Sequence, residues 1–190
     1  MGSHIYIEIA ERAEQKRKLC EKYAHEYFPR DKIELLIVGE SPPIGKTYFY
    51  IPEDLRHQGL PAKIFRILFG AATRIDKVQC KQFLKEFQKR NFLLTDIVTF
   101  PINCFISSIR AEIIEKEMHT FSDKMNSLQL SALCSKLLIL PSGTYRALKA
   151  KKFVNILNTL NSFGFKIIKW GDAEVHLTDI AQVLRERNVL

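Results

Sequence analysis

A carboxylate and a hydroxyl directly follow the most apolar run of the chain. Residues 35–38 are continuously apolar, and Gly39-Glu40-Ser41-Pro42-Pro43 comes next. Such a run is typical of a strand that is buried on both faces of a parallel sheet. The glycine and the two prolines cannot continue that strand. Glu40 and Ser41 are therefore predicted at the carboxyl end of a central strand, where open α/β sheets bind their ligands.

Further polar side chains follow the other predicted strands. Asp96, Ser142 and His176 come after strands two, three and four. Because parallel strands end at one edge of a sheet, we expect these side chains near Glu40. The loop after strand one also carries the aromatic residues Tyr48-Phe49-Tyr50. Two carboxylates, a histidine and a stacking platform beside basic surface suit the capture of an unstacked nucleobase.

A phosphate-binding loop is the competing interpretation of residues 39–47. That motif has four residues between its first glycine and the Gly-Lys-Thr, whereas five stand here. The two prolines remove backbone N–H groups with which such a loop holds phosphate, and Glu40 would repel the anion. The spacing therefore disfavours a nucleoside triphosphate site.

Four predicted strands alternate with helices along the chain. The strands are expected at about 33–38, 92–95, 136–140 and 165–169. The absence of hairpin signals favours a parallel sheet, which predicts an α/β fold in the form of a three-layer α/β/α sandwich with four central strands. Helices are predicted at 5–27, 76–90, 109–133 and 152–162, and three more are predicted to begin near Pro61, at Ser142 and after Thr178. Asp76 and Thr178 are the predicted N-caps of their helices, and Ile109 is predicted to face inward.

The chain is expected to form a single domain over residues 1–190. Its start, Met1-Gly2-Ser3-His4, resembles the remnant of an expression tag, so His4 is set aside. No apolar run approaches the roughly 20 residues that span a bilayer, so no membrane partner is expected. The four cysteines are far apart and form no Cys-x-x-Cys pair. This pattern indicates reduced thiols, a cytoplasmic protein and no metal site.

The charge of the chain favours a polyanionic partner. The formal net charge is +8, which is typical of proteins that bind nucleic acid. The densest cationic group contains Arg146 and Lys149, followed by Lys151 and Lys152. A nucleic acid is therefore a partner that the charge favours, and an ordinary solvated helix surface is the alternative explanation of this cationic group.

Several segments resemble, in order, the motifs of the uracil-DNA glycosylase superfamily. Gly39-Glu40-Ser41-Pro42-Pro43 resembles its first motif, in the Gly-Glu-Ala-Pro-Gly form of the iron–sulfur-containing branch. Gly45-Lys46-Thr47-Tyr48-Phe49 is similar to a later segment whose phenylalanine stacks on the extruded base. Residues 94–98, with Pro101 and Asn103, are similar to the stretch that carries the base-reading asparagine, and residues 140–148 to the strand and glycine-started helix near the family's end.

This resemblance implies the uracil-DNA glycosylase-like fold and a DNA-repair hydrolase that flips a damaged or deaminated base and cleaves its N-glycosidic bond. It implies three catalytic residues. Glu40 positions or activates water, or stabilises the sugar cation. Ser41 stands where the most active branch has aspartate, and His176 stabilises the charge that builds on the leaving base.

The resemblance also implies the residues that bind the ligand. Phe49 stacks on the base, while Asp96 and Asn103 contact its polar edge. Ser142, Arg146 and Lys149 contact the nucleic acid.

Three departures from the family pattern affect this interpretation. Asp96 stands in the place of the asparagine, and an ionised carboxylate only accepts hydrogen bonds. It would repel uracil O4 and favour a base with an exocyclic amine, unless Asp96 is protonated. The His-Pro-Ser motif is present only as His176-Leu177-Thr178, without its proline. The cluster-binding cysteines are not matched, so no cofactor is expected.

Two other functions remain open from the sequence alone. One is a catalytically silent relative that binds nucleic acid or a nucleobase without cleaving it. The other is an enzyme that uses the same strand ends on a small nucleotide or nucleoside. A shared fold does not decide among these functions.

Overall fold

The computed structural model of the chain describes residues 14–15, 17–44, 48–52, 59–71 and 75–190. Residues 1–4 and the first part of the helix predicted at 5–27 lie outside the described residues. So does Gly45-Lys46-Thr47, which forms part of the second resembling segment. Residues 17–26 are helical and form helix α1.

The four strands form one parallel sheet, as the sequence predicts. Their bounds are β1 Ile33–Gly39, β2 Phe92–Asp96, β3 Leu130–Leu140 and β4 Lys166–Lys169. The strand order is β2-β1-β3-β4, and each neighbouring pair is parallel. Residues 35–38 of the central strand are fully buried, which explains why that segment is apolar without alternation.

Helices cover both faces of this sheet. Those that follow α1 are α2 Leu60–Phe69, α3 Lys77–Lys89, α4 Ser107–Ser127, α5 Ser142–Leu148, α6 Val154–Ser162 and α7 Ala173–Glu186. Residues of α1, α2, α3 and α7 share one apolar cluster with Leu35 and Ile37, whereas α4, α5 and α6 share another with Leu36 and Val38. Alternate side chains of β1 thus reach opposite layers, an arrangement compatible with the predicted sandwich. Among the described residues, no helix is long and apolar enough to cross a membrane.

The start of helix α3 confirms one predicted cap. Asp76 Oδ1 accepts a hydrogen bond of 2.8 Å from the Gln79 backbone N–H, and Gln79 Oε1 accepts one of 3.0 Å from the Asp76 N–H. This reciprocal pair is a capping box.

The boundary between α4 and β3 differs from the prediction. Helix α4 ends at Ser127 and strand β3 begins at Leu130, so residues 130–133 are extended rather than helical. The register pairs Ile33 with Leu130 and Leu35 with Ser135, which leaves extra residues of β3 in a bulge. Of this segment only Leu130 pairs with β1, and residues 131–133 lie in the bulge. The apolar spacing of the segment suits either structure, so it could not show where α4 ends. Ile109, predicted inward, is 41% exposed.

The prediction for the last helix is wrong at its start. Helix α7 begins at Ala173, immediately after a short 3₁₀ turn, Trp170–Asp172. His176 therefore lies in a helix and not in a loop. Thr178 does not cap it, since its hydroxyl donates a hydrogen bond of 2.8 Å to the Glu174 carbonyl one turn earlier.

A tyrosine hydroxyl forms hydrogen bonds with the backbone of one residue at the outer edge of β2. The Tyr50 hydroxyl donates to the Leu94 carbonyl and accepts from the Leu94 N–H, each at 2.9 Å.

We expect Tyr50→Phe to lower the free energy of unfolding by about 1–3 kcal/mol, because both buried backbone groups lose their partner. Urea denaturation measures this loss. Tyr145→Phe on α5 is the control, with an expected change within about 0.5 kcal/mol; equal losses in the two variants would contradict the role of Tyr50.

Candidate functional site

A cavity of about 290 Å³ opens at the carboxyl edge of the sheet. Residues at or just beyond the carboxyl ends of all four strands line it. These are Gly39 at the end of β1 with Glu40 and Ser41 after it, Asp96 at the end of β2, Ile139 near the end of β3 with Pro141 after it, and Trp170 after β4. Phe49 and Asn103 line it as well. The expected meeting at one edge is confirmed for Glu40, Ser41 and Asp96, whereas Ser142 and His176 are not among the described residues that line the cavity.

The topology explains why a cavity forms at this place. Strands β1 and β3 are neighbours, but the chain leaves them in opposite directions. After β1 it reaches helix α2 on one face, and after β3 it reaches α5 on the other. Diverging connections leave a crevice between adjacent strand ends, which is the usual ligand site of open α/β sheets.

Glu40 is a buried carboxylate with only one oxygen paired. The residue is 5% exposed. Its Oε1 accepts a hydrogen bond of 3.3 Å from Arg110 Nη1, whereas its Oε2 is buried with no hydrogen-bond partner among the described residues. The Arg110 guanidinium also donates through Nε to the Phe105 carbonyl at 2.7 Å, which fixes its orientation. The pair leaves one carboxylate oxygen free to accept a proton or a hydrogen bond.

The Asp96 carboxylate lies over Gly39. A Cβ at position 39 would collide with Asp96 Oδ1, so a side chain there would displace this carboxylate. Burial raises the pKa of Asp96 to about 7; the Lys124 ammonium opposes this rise and the Glu40 charge adds to it. Burial in turn lowers the pKa of Lys124. Near neutral pH the Asp96 carboxyl is therefore divided between a form that only accepts hydrogen bonds and one that also donates.

Four hydrogen bonds between described residues join the loops that follow β1 and β2. Two are main-chain bonds of 3.0 Å, from Ile97 N–H to the Gly39 carbonyl and from Val98 N–H to the Glu40 carbonyl. Ser41 Oγ accepts from the Ile102 N–H at 3.4 Å, and Asn103 Oδ1 accepts from the Ile44 N–H at 3.1 Å.

Ser41 and Asn103 thus fasten the two loops together. Each keeps donors that these bonds do not use, namely the hydroxyl hydrogen of Ser41 and the amide hydrogens of Asn103.

The aromatic residues of the cavity differ in how accessible they are. Phe49 is 3% exposed and packs among other rings, while Trp170 is 40% exposed at the other end of the sheet edge. Tyr48 is buried, and burial raises the pKa of its hydroxyl well above the usual range, so this group stays protonated. Tyr48 and Asp96 also line a second cavity of about 240 Å³, to which Lys124 contributes.

The predicted catalytic histidine is not in the cavity. His176 lies on α7, with Nδ1 3.7 Å from Asp179 Oδ2, and it is not among the described residues that line the cavity. The reason is the early start of α7, which puts His176 one turn inside a helix instead of in a loop at the sheet edge.

The predicted nucleic-acid contacts lie on helix α5 and at its end. Ser142 is the first residue of α5 and directly follows Pro141 of the cavity wall, while Lys149 directly follows its last residue. Arg146 and Lys149 are exposed, and the Lys149 ammonium lies 4.5 Å from the centre of the Tyr145 ring. These cations therefore belong to a helical segment that begins next to the cavity wall.

Three residues of the site were missed by sequence reasoning. Trp170 directly follows strand β4, so the rule that selected Asp96 could have selected it. Arg110 and Lys124 reach the site from α4. No local pattern signals them, because Arg110 is 70 residues away from Glu40 along the chain.

The cavity combines acid–base groups with apolar walls and lacks an evident metal centre. Within the described part of the chain, no group of three or more His, Cys, Asp or Glu side chains is arranged to hold a metal ion. The arrangement can accept a proton at Glu40, exchange one at Asp96, and exclude water along the aromatic wall. These abilities suit hydrolysis or binding of a small planar molecule.

No family model, curated protein or solved structure matches this chain. The resemblance to the uracil-DNA glycosylase superfamily therefore stays a prediction from the motif segments.

Proposed function

We propose that this chain is a DNA glycosylase-like protein with the uracil-DNA glycosylase-like fold. It takes a damaged or deaminated base into the cavity at the sheet edge and hydrolyses the N-glycosidic bond. The observation that carries the proposal is that Glu40, Asp96 and Asn103 meet in one cavity with apolar and aromatic walls. The cavity of about 290 Å³ is at the small end of ligand sites, which are roughly 300–1,000 Å³. This size favours a single base over a larger cofactor.

Glu40 is the residue best suited to act on water. Its free Oε2 accepts the proton of a water molecule whose oxygen attacks C1′ of the sugar. The C1′–N bond breaks, and its electron pair leaves with the base. The Arg110 partner and the buried setting hold the carboxylate in one orientation.

Asp96 and Asn103 are suited to the polar edge of the base. The protonated form of Asp96 donates a hydrogen bond to a ring acceptor, and the Asn103 amide hydrogens supply further donors. With His176 outside the cavity, these donors stabilise the negative charge that develops on the leaving base. This assignment answers the difficulty that an ionised Asp96 poses for uracil O4.

DNA is the proposed partner, and the exposed cations at the end of α5 are the proposed contact. Arg146 and Lys149 are exposed on the helical segment that begins directly after Pro141 of the cavity wall. Because phosphate contacts release counterions, binding is expected to weaken as salt rises. Substitution of Arg146 and Lys149 by glutamine should reduce the slope of that dependence by about 2 in a log–log plot.

The direct test is cleavage of oligonucleotides that carry uracil, hypoxanthine or xanthine, followed by alkali treatment of the abasic product. We expect the protein to cleave at least one of them, and Glu40→Gln to lower the rate by about 100-fold or more. Glu115→Gln, on the exposed face of α4, is the matched control and should leave the rate unchanged.

A catalytically silent base-binding protein is the second candidate. The position of His176 on α7 favours it, as does the use of Ser41 to fasten a loop. Salt-sensitive binding of these oligonucleotides without cleavage would select this candidate over the enzyme. Neither cleavage nor binding would reject both.

A further inference from the structure

The ring of Phe49 is already surrounded by protein rings. Its centroid lies 4.8 Å from that of Tyr50, 5.2 Å from Phe65 and 5.0 Å from Phe87. The residue is only 3% exposed. Because neighbouring rings cover it on three sides, Phe49 serves as part of the wall of the core and offers a ligand little free surface.

Trp170 is the aromatic residue of the cavity with a large accessible surface. It lines the cavity, yet 40% of its surface is exposed. No ring contact or cation contact to its indole is present among the described residues. An exposed tryptophan is unusual, because burial of this side chain is among the most favourable in proteins.

The backbone holds Trp170 in a fixed position. It is the first residue of the 3₁₀ turn Trp170–Asp172, and its carbonyl accepts a hydrogen bond from the Ala173 N–H at the start of α7. Ion pairs of Glu174 with Lys63 and Arg66, at 3.3 and 2.9 Å, tie the start of α7 to α2. The indole is thus presented from a hydrogen-bonded turn between β4 and α7 rather than from an irregular loop.

We propose that Trp170, and not Phe49, is the face on which the planar ring of the ligand stacks, with the polar edge of that ring directed towards Asp96 and Asn103. The identification of this ring as a nucleobase rests on the proposed function. The occupant is an unpaired base of a single strand. Strand β4 is three strand spacings from β2, about 14 Å. The Trp170 side chain at the β4 end, the Asp96 side chain at the β2 end and one planar ring between them together span this distance.

The single tryptophan of the chain makes the proposal directly testable. Trp170 is the only tryptophan, so its fluorescence reports on this one position. We expect a single-stranded oligonucleotide with a central hypoxanthine to quench it. Anisotropy of the same oligonucleotide, labelled at one end, measures affinity independently of the tryptophan.

Substitution separates stacking from mere proximity. Trp170→Ala should raise the dissociation constant by about 5- to 150-fold, the range expected when a stacked aromatic residue is truncated. Trp170→Phe keeps a stacking face and should stay within about threefold of the wild type. Val175→Ala, exposed on α7, is the matched control and should bind like the wild type.

The outcomes distinguish this inference from the proposed function. Oligonucleotide binding that causes no quenching and survives Trp170→Ala would overturn the stacking role and leave the proposed function intact. Free hypoxanthine or adenine that quenches Trp170, and that equilibrium dialysis shows to bind the wild type but not Trp170→Ala, would support the stacking role and reject a DNA function if no oligonucleotide binds. Binding of neither oligonucleotides nor free bases would overturn both.

Discussion

Replacing Arg110 by glutamine is expected to lower the free energy of unfolding by about 3–5 kcal/mol, because the Glu40 charge then stays buried without a partner. Glu40 is 4% exposed at its side chain and Arg110 19%, and their charged atoms are 3.3 Å apart. Glu40 Oε2 has no hydrogen-bond partner among the described residues, so nothing compensates for the lost guanidinium. Urea denaturation at neutral pH measures the loss.

The double variant shows whether this loss comes from the pair. Glu40→Gln together with Arg110→Gln removes both charges, so we expect the protein to regain most of the stability lost in Arg110→Gln alone. Arg146→Gln, at an exposed arginine of α5, should change the stability by less than about 0.5 kcal/mol. If the double variant is no more stable than Arg110→Gln, the unpaired charge is not the cause.

Replacing Asp96 by asparagine is expected to stabilise the protein increasingly as the pH rises. The pKa of Asp96 is raised from 3.8 to about 7, first of all by burial. The folded state therefore holds a proton that the unfolded state releases, so this carboxyl lowers stability progressively from about pH 4 to pH 7. Asparagine does not titrate. The stability difference between Asp96→Asn and the wild type should therefore grow by about 2–3 kcal/mol from pH 5 to pH 8.

An exposed aspartate with no histidine partner among the described residues provides the control for this pH dependence. Asp31, just before β1, is exposed, so Asp31→Asn should give a difference that is nearly constant over the same pH range. Denaturant unfolding at intervals of one pH unit measures both curves. A constant difference for Asp96→Asn would show that its carboxyl is ionised in the folded protein throughout this range, and the proposed donor role of Asp96 would then fail.

The part of the site that follows strand ends could be predicted from the sequence. Residues 35–38 are apolar without alternation, which marks a strand buried on both faces. Once β1 and β2 are recognised as parallel neighbours, the meeting of Glu40 and Asp96 at one edge follows from the geometry of the sheet. The register confirms it, since Gly39 pairs with Asp96.

The errors have local causes. Residues 130–133 carry apolar side chains at spacings that fit a helix or a strand, and the bulge that extends β3 over them has no local signal in the sequence. For His176 the sequence offered Thr178 as a cap, but the turn at Trp170–Asp172 had already started the helix. Arg110 could not be predicted at all, because its contact with Glu40 depends on how α4 packs over the sheet.

The bonds between the loops after β1 and β2 have a consequence for how the cavity receives a ligand. Ser41 and Asn103 join these loops through the Ile102 and Ile44 amides, so the joined segments are restrained relative to each other before a molecule binds. Segments that are already restrained lose less conformational entropy on binding, which leaves more of the contact energy for affinity.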